Sequence, residues 1–286
     1  MTPFLRWAGG KRWIAPRLAP VLSARLEQTY YEPFLGSGSV FFAVAPKRAL
    51  LSDINVELIN TYQVVAASAE ALVNRLRCIP VNSREYYQLR QSEPADALSR
   101  AVRFIYLNRT CYGGIHRTNK DGKFNTPYGG GCRTPELLWR DGILLDAARI
   151  LGRRAVRTRV ADFSKAMETA SEGDVVYCDP IYTTRAREQF DRYNSLLFGW
   201  EEQTRLRDAA NAACLRGALV VISDTYSAEI QALYPSAFRI ALERHKRIGN
   251  RAKDASRGFE YLIVLDPPDR RKDWLTIGPI ERRVSR

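Results

Sequence analysis

Two short constellations in the 286-residue sequence carry residue types that could do chemistry. The first is Asp179-Pro180-Ile181-Tyr182, directly after the apolar run Val175-Val176-Tyr177-Cys178. It offers a carboxylate, a backbone carbonyl and a flat phenol ring on one constrained turn. That set suits an amine whose lone pair is delocalised into an aromatic ring, such as the exocyclic amine of adenine. A carboxylate and a carbonyl that accept its two hydrogens draw the lone pair back towards tetrahedral geometry. Tyr182 could stack on the ring, a contact worth ~1–3 kcal/mol per base in single-strand binders. The proline after Asp179 biases Asp179 towards extended geometry. The alternative is a strand-ending turn with a capping aspartate. The second constellation is Glu32-Pro33-Phe34-Leu35-Gly36-Ser37-Gly38-Ser39-Val40, followed by Asp53, 17 residues beyond Gly36. Glycines let a backbone turn sharply and approach a ligand closely. An acid at the end of the next strand is well placed for the ribose hydroxyls of an adenosine-containing cofactor. A plain turn, and Asp53 as cap of a helix from Ile54, are the alternatives. The loop lacks the Gly-Lys-Ser/Thr ending of a triphosphate-binding loop.

These residues need elements to position them. Tyr30–Pro33 reads as a strand leading into the glycine turn, and Ser39–Val44 as the start of a helix. Arg48–Asp53, Asp174–Asp179, Ala218–Asp224 and Glu260–Asp266 are apolar runs that end in an acid. Runs without alternation fit strands buried on both faces of a parallel or mixed sheet. Glu201–Leu215 reads as a helix between two of them, with Leu206, Ala209, Ala210, Ala213 and Cys214 at near-helical spacing. Strand–helix alternation predicts an α/β, doubly wound domain, in which ligands sit at the carboxyl ends of strands. The middle differs. Ser83 can cap a helix, and Ala97, Leu98, Ala101, Val102, Ile105 and Tyr106 share one helical face. A Gly-, Asn- and Arg-rich stretch follows, with a hairpin turn expected around Asp121-Gly122. A mostly helical insert at 57–142 therefore divides a catalytic domain made of 1–56 and 143–286.

The net charge is +13. Residues 100–159 hold 13 basic against 4 acidic residues, so the excess is concentrated mid-chain. Such a block suits a polyanion, because each neutralised phosphate releases condensed counterions. No apolar run reaches the roughly 18 residues of a membrane span, and the N-terminus lacks a secretory stretch. Five cysteines without a CxxC pair argue against a disulfide framework and a structural zinc. Two distant histidines, at 116 and 245, suggest no metal. The expectation is a cytoplasmic protein with no membrane and no metal partner.

Taken together, the blocks resemble the DNA adenine methylase (Dam-like) family of adenine-N6 DNA methyltransferases, in its alpha-group motif order. The resemblance covers roughly Phe4 to Leu265. FLRWAGGKR (4–12) is similar to the N-terminal cofactor motif, EPFLGSGSVFF (32–42) to the glycine loop and SDINVELINTY (52–62) to the Asp-x-Asn motif. FIYLNRTCYGG (104–114) and RTNKDGKFNTPYG (117–129) resemble the recognition hairpin. ADFSKAM (161–167), VVYCDPIY (175–182) and VVISD (220–224) continue the order.

The resemblance implies a Rossmann-like, mostly parallel methyltransferase sheet with a target-recognition insert, and S-adenosylmethionine as cofactor. Trp7 and Lys11 would contact that cofactor or hold its pocket. Phe34, Gly36 and Gly38 would form its loop, and Asp53 would bind its ribose. Asp162 and Phe163 would flank its adenine, and Asp179 would also be among the residues that bind it. Asp179, Pro180, Ile181 and Tyr182 would form the target-base pocket. Tyr112, Ile115, Arg117, Asn119, Asn125 and Pro127 would contact double-stranded DNA, with Arg117 reading a guanine edge and Ile115 touching a thymine methyl. GATC is the expected site, with the target adenine extruded from the stack. The bland readings are core aromatics for Trp7 and Phe163, a solvated charge for Lys11 and a phosphate contact for Arg117. The chain departs from the family at Ile181, where a second proline is usual, and at Gly113 and Gly130, where some members carry an asparagine and a basic residue. An RNA or cytosine-N4 methyltransferase, and a DNA-binding homologue with turnover impaired by Ile181, are the rival readings. A monomer is expected, with a weak dimer as the alternative.

Overall fold

The computed structural model describes residues 1–119, 122–131, 134–139, 141–184, 198–247, 255–266 and 274. In chain order the first elements are α1 (Ala15–Arg25), β1 (Tyr30–Glu32), α2 (Ser39–Val44), β2 (Ala49–Asp53) and α3 (Val56–Arg77). Then come α4 (Ser83–Gln91), α5 (Ala97–Thr110), α6 (Pro135–Trp139), α7 (Asp141–Leu151), β3 (Val156–Val160) and α8 (Phe163–Ala166). The last are β4 (Val175–Cys178), α9 (Trp200–Leu215), β5 (Leu219–Thr225), α10 (Ala228–Leu233), β6 (Phe238–Arg247) and β7 (Ala255–Leu265). The chain is thus mixed α/β with mostly parallel strands, as the apolar runs and their alternation with helices predict. It divides into two compact units, one of Met1–Ala19 with Leu35–Asp162 and one of Pro20–Phe34 with Phe163–Arg286.

In the first unit β2 and β3 run parallel, in register from Ala49 opposite Val156 to Asp53 opposite Val160. α3 is the packing hub. Its Leu58, Ile59, Tyr62, Val65, Leu72 and Leu76 are buried together with Ala101 and Ile105 of α5 and Leu144, Ala147 and Leu151 of α7. Each large side chain so buried contributes roughly 1.5–3 kcal/mol. Short polar caps set the helix starts. Asn55 accepts from Leu58 N–H at 3.0 Å, Asn82 from Glu85 at 2.8 Å and Asp96 from Ser99 at 2.8 Å. One alternative reading and one expectation are corrected here. The cap of α3 is Asn55, not Asp53, and the cap of α4 is Asn82, with Ser83 the first helical residue. An N-cap oxygen stands on the residue just before the first turn; Asp53 lies two residues farther back than Asn55, and Ser83 lies already inside its helix.

After α5 the chain forms the expected hairpin, with antiparallel bridges Cys111–Tyr128 and Thr118–Phe124. Tyr112 N–H donates to Pro127 O at 2.9 Å and Asn125 N–H to Arg117 O at 2.9 Å. Near its tip Asn119 accepts from Lys123 N–H at 2.9 Å, and Gly122 has φ +74°. Asp121, half of the expected turn pair, and Lys120 lie outside the described residues.

In the second unit the strand order is β1-β4-β5-β7-β6. β1, β4 and β5 run parallel, with Tyr30 opposite Val175 and Val175 opposite Leu219. All four residues of β4 are buried, which is why its sequence shows no alternation. β7 runs antiparallel to β5, with Val220 opposite Leu265 and Thr225 opposite Glu260, and β6 pairs β7. Among the described residues no helix is long and apolar enough to cross a membrane.

Candidate active site

The glycine loop and Asp53 meet in the first unit. Gly36 and Gly38 take φ +46° and +63°, a region L-residues enter at a cost. Asp53, at the carboxyl end of β2, accepts from Gly36 N–H at 3.1 Å and from Asn55 N–H at 3.0 Å. One carboxylate therefore ties the loop to the strand end. Burial pushes its pKa up, and the same N–H groups oppose that shift. Tyr62 of α3 donates its hydroxyl to Gly36 O at 3.0 Å. Trp7 lies against the loop so closely that a Cβ on Gly36 would stand 3.0 Å from its ring. Lys11 is 3% exposed and donates to Gly9 O at 3.0 Å, which removes the solvated-charge reading. Asp162 follows β3 by two residues, and Ala161 N–H donates to Asp53 O at 3.2 Å, so Asp162 lies at the Asp53 end of the strand pair.

The hairpin side chains belong to the same unit. Tyr112 and Ile115 are 64% and 44% exposed, and Arg117 and Pro127 are also on the surface. Arg117 donates Nε–H to Asn125 Oδ1 at 2.8 Å, which sets the plane of the guanidinium. His116 is turned inward. Its ring stacks on Trp7 at 5.6 Å and contacts Phe104 and Phe124 at 5.4 and 5.3 Å. Burial in this aromatic cage lowers its pKa, with the charge of Arg103 adding to the effect. The sequence reading missed this link between the hairpin and the N-terminal motif. Residues 7 and 116 are too far apart for any periodicity to pair them.

The second unit holds the DPIY turn. It leaves the end of β4 with Asp179 half-buried, Pro180 buried and Ile181 41% exposed. Tyr182 donates its hydroxyl to Glu260 Oε2 of β7 at 3.0 Å. Burial, then the nearby Asp179 and Glu260 carboxylates, raise the Tyr182 pKa well above the usual phenol range, so the hydroxyl stays protonated. Beyond the turn Thr183 donates to Phe198 O at 2.6 Å, and buried Gln203 donates to Asp224 Oδ2 at 2.9 Å. Phe34 and Phe163 stack at 5.2 Å, Phe198 closes edge-on to Phe34 at 5.6 Å, and the Arg205 guanidinium lies 5.0 Å over Phe163.

Acids ending apolar runs were the places to look, and they divide by strand direction. Asp53 and Asp179 lie at the carboxyl ends of parallel strands, and Asp224 near the end of another. Asp266 follows the antiparallel β7 and so stands at the opposite end. There it makes a two-pronged ion pair with Arg25 at 2.6 and 2.8 Å and accepts from Trp274 at 3.4 Å. The acid that β7 brings to the Asp224 end is Glu260, which opens its run and was not singled out. No local signal joins it to Tyr182, 78 residues earlier.

A model of the D12 class N6 adenine-specific DNA methyltransferases matches residues 7–248. The chain is 32% identical over 274 residues to the type II methyltransferase M1.LlaDCHI of Lactococcus lactis subsp. cremoris, spanning 93% of this chain and 95% of that protein. It is 32% identical to the retron Ec67 DNA adenine methylase of Escherichia coli, with 92% and 91% covered. It is 29% identical to the type II methyltransferase M.MjaIII of Methanocaldococcus jannaschii, with 92% and 98% covered. With a family model running from Trp7 past the DPIY turn and β5, the chain belongs to the D12 class of N6 adenine-specific DNA methyltransferases.

Proposed function

We propose that this chain transfers a methyl group from S-adenosylmethionine to N6 of an adenine everted from duplex DNA, with GATC as its site. The observation that carries the reading is the DPIY turn at the carboxyl end of the buried strand β4, with its phenol held from β7. S-adenosylmethionine supplies an electrophilic methyl group. The first unit's residues fit such a donor. Each carboxylate oxygen has two lone pairs, so bonds to the Gly36 and Asn55 N–H groups leave Asp53 acceptor capacity for ribose hydroxyls. Trp7, Lys11, Gly38 and Asp162 of this unit are assigned to the same task; Phe34 and Phe163, which the resemblance also assigns to it, belong to the second unit.

Asp179 and the Pro180 carbonyl accept the two hydrogens of the adenine amine, and Tyr182 stacks on the base. A donor held beside this pocket would supply its methyl group to the oriented nitrogen and leave as the neutral thioether, and the methylated ammonium would give its proton to solvent. Asp179 works as an acceptor that orients the amine, and catalysis comes from positioning. Residues 57–142 form the target-recognition part, with Arg117 and Ile115 reading bases and Tyr112, Asn119, Asn125 and Pro127 supporting contact with the duplex. Residues 1–56 and 143–286 form the catalytic part, and the protein acts as a cytoplasmic monomer.

Transfer of labelled methyl groups to unmethylated plasmid DNA and to RNA, followed by base analysis, tests this. N6-methyladenine in DNA is expected, and Asp179→Ala abolishes it while retaining DNA binding. Near-full turnover by Asp179→Ala, or label in cytosine or RNA, overturns it.

A further inference from the structure

We propose that Glu260 is a positioning residue for methyl transfer, holding the Tyr182 ring in its stacking pose through the phenol hydroxyl. This deepens the function proposed above and rests on it. Tyr182 has only two turn residues between it and Asp179. The usual second proline is replaced by Ile181, which is 41% exposed. Proline at 181 would bar Pro180 from helical geometry, and isoleucine lifts that restriction. A largely buried ring on a turn without its second proline is held best by an anchor from elsewhere, and Glu260 is built as one. It is 4% exposed and sits within the β5–β7 ladder opposite Thr225, so its backbone is fixed by sheet pairing. Its Oε2 lies 3.0 Å from the Tyr182 hydroxyl. A hydrogen bond to an ionised acceptor is about twice as strong as a neutral one. The bond grips the ring at its far end, where a small tilt of the turn would move it most.

The test is a double-mutant cycle on single-turnover methyl transfer to plasmid DNA, with filter-binding affinity for the same DNA measured alongside. Glu260→Ala is expected to slow transfer about 10- to 100-fold, the scale of a lost hydrogen bond to a charged group, with DNA affinity unchanged. Glu260→Gln, which retains a carbonyl acceptor, is expected to stay within about 3-fold of wild type. In the Tyr182→Phe background, Glu260→Ala is expected to have almost no further effect. An equal cost of Glu260→Ala in both backgrounds overturns the assignment, because it then acts on something other than the phenol. If circular dichroism shows that Glu260→Ala does not fold, Tyr182→Phe and Glu260→Gln decide. A Tyr182→Phe rate within about 2-fold of wild type, or a Glu260→Gln loss as large as that of Tyr182→Phe, overturns it. The two readings fail separately. No methyl transfer by the wild type removes both, whereas transfer that needs Asp179 and ignores Glu260 removes only this one.

Discussion

Replacing single loop glycines with alanine tests the geometry of the glycine turn most directly, because three positions share a left-handed backbone but differ in surroundings. Gly38 has φ +63°, and an added Cβ would meet the Tyr62 hydroxyl at 3.0 Å, Phe42 at 3.3 Å and Leu35 at 3.4 Å. Tyr62 cannot yield without breaking its 3.0 Å bond to Gly36 O. Gly36 has φ +46° and would meet the Trp7 ring at 3.0 Å, which is half-exposed and can shift. Gly122 has φ +74° with nothing within 4 Å. A left-handed L-residue costs roughly 1–2 kcal/mol, and overpacking adds about 1–3 kcal/mol. Gly38→Ala should therefore lose roughly 2–5 kcal/mol and Gly122→Ala only about 1–2 kcal/mol. At about 2–4 °C per kcal/mol, these are melting shifts of about 4–20 °C and about 2–8 °C in scanning calorimetry. Gly36→Ala should melt between them yet weaken S-adenosylmethionine binding about 10-fold in titration calorimetry, a 1.4 kcal/mol effect of displacing Trp7. A Gly38→Ala shift no larger than that of Gly122→Ala would show that packing around Tyr62 does not constrain the loop.

Two further outcomes follow from the same structure. His116 has its pKa lowered by its aromatic cage. The unfolded chain therefore binds a proton more readily, and stability falls as pH drops below about 6.5, levelling once pH passes the folded value. His116→Phe should remove that part of the slope in denaturant titrations across this window, and an unchanged slope would place the proton uptake elsewhere. Ile181→Pro restricts the DPIY turn and should match or raise turnover, by no more than about 5-fold for ~0.4–1 kcal/mol of backbone restriction. A large loss would mean a pocket adapted to isoleucine.

Much of the fold could be read locally. Val175–Cys178 and Leu219–Asp224 are buried throughout, so their apolar runs reported them faithfully. Ser39–Val44 and the start of α5 at Ala97 matched their helical patterns. β3 escaped because only Val156 of VRTRV is buried, so burial left no mark on its composition. The DPIY turn, the glycine loop and Asp53 were visible because each works within a few residues of a strand end, where side-chain type and backbone conformation are set together.

Tertiary structure alone decided which distant groups serve those local ones. It reversed β7 against β5, and that reversal exchanged the roles of the two acids that bound one apolar run. Asp266 became half of an ion pair with Arg25, and Glu260 came to the Tyr182 hydroxyl. It also turned His116 onto Trp7 while leaving its neighbours Ile115 and Arg117 on the surface. A residue's neighbours along the chain limit its backbone conformation. Strand direction and long-range packing depend on the free energy of the whole fold, so they leave no signature in any short stretch of sequence.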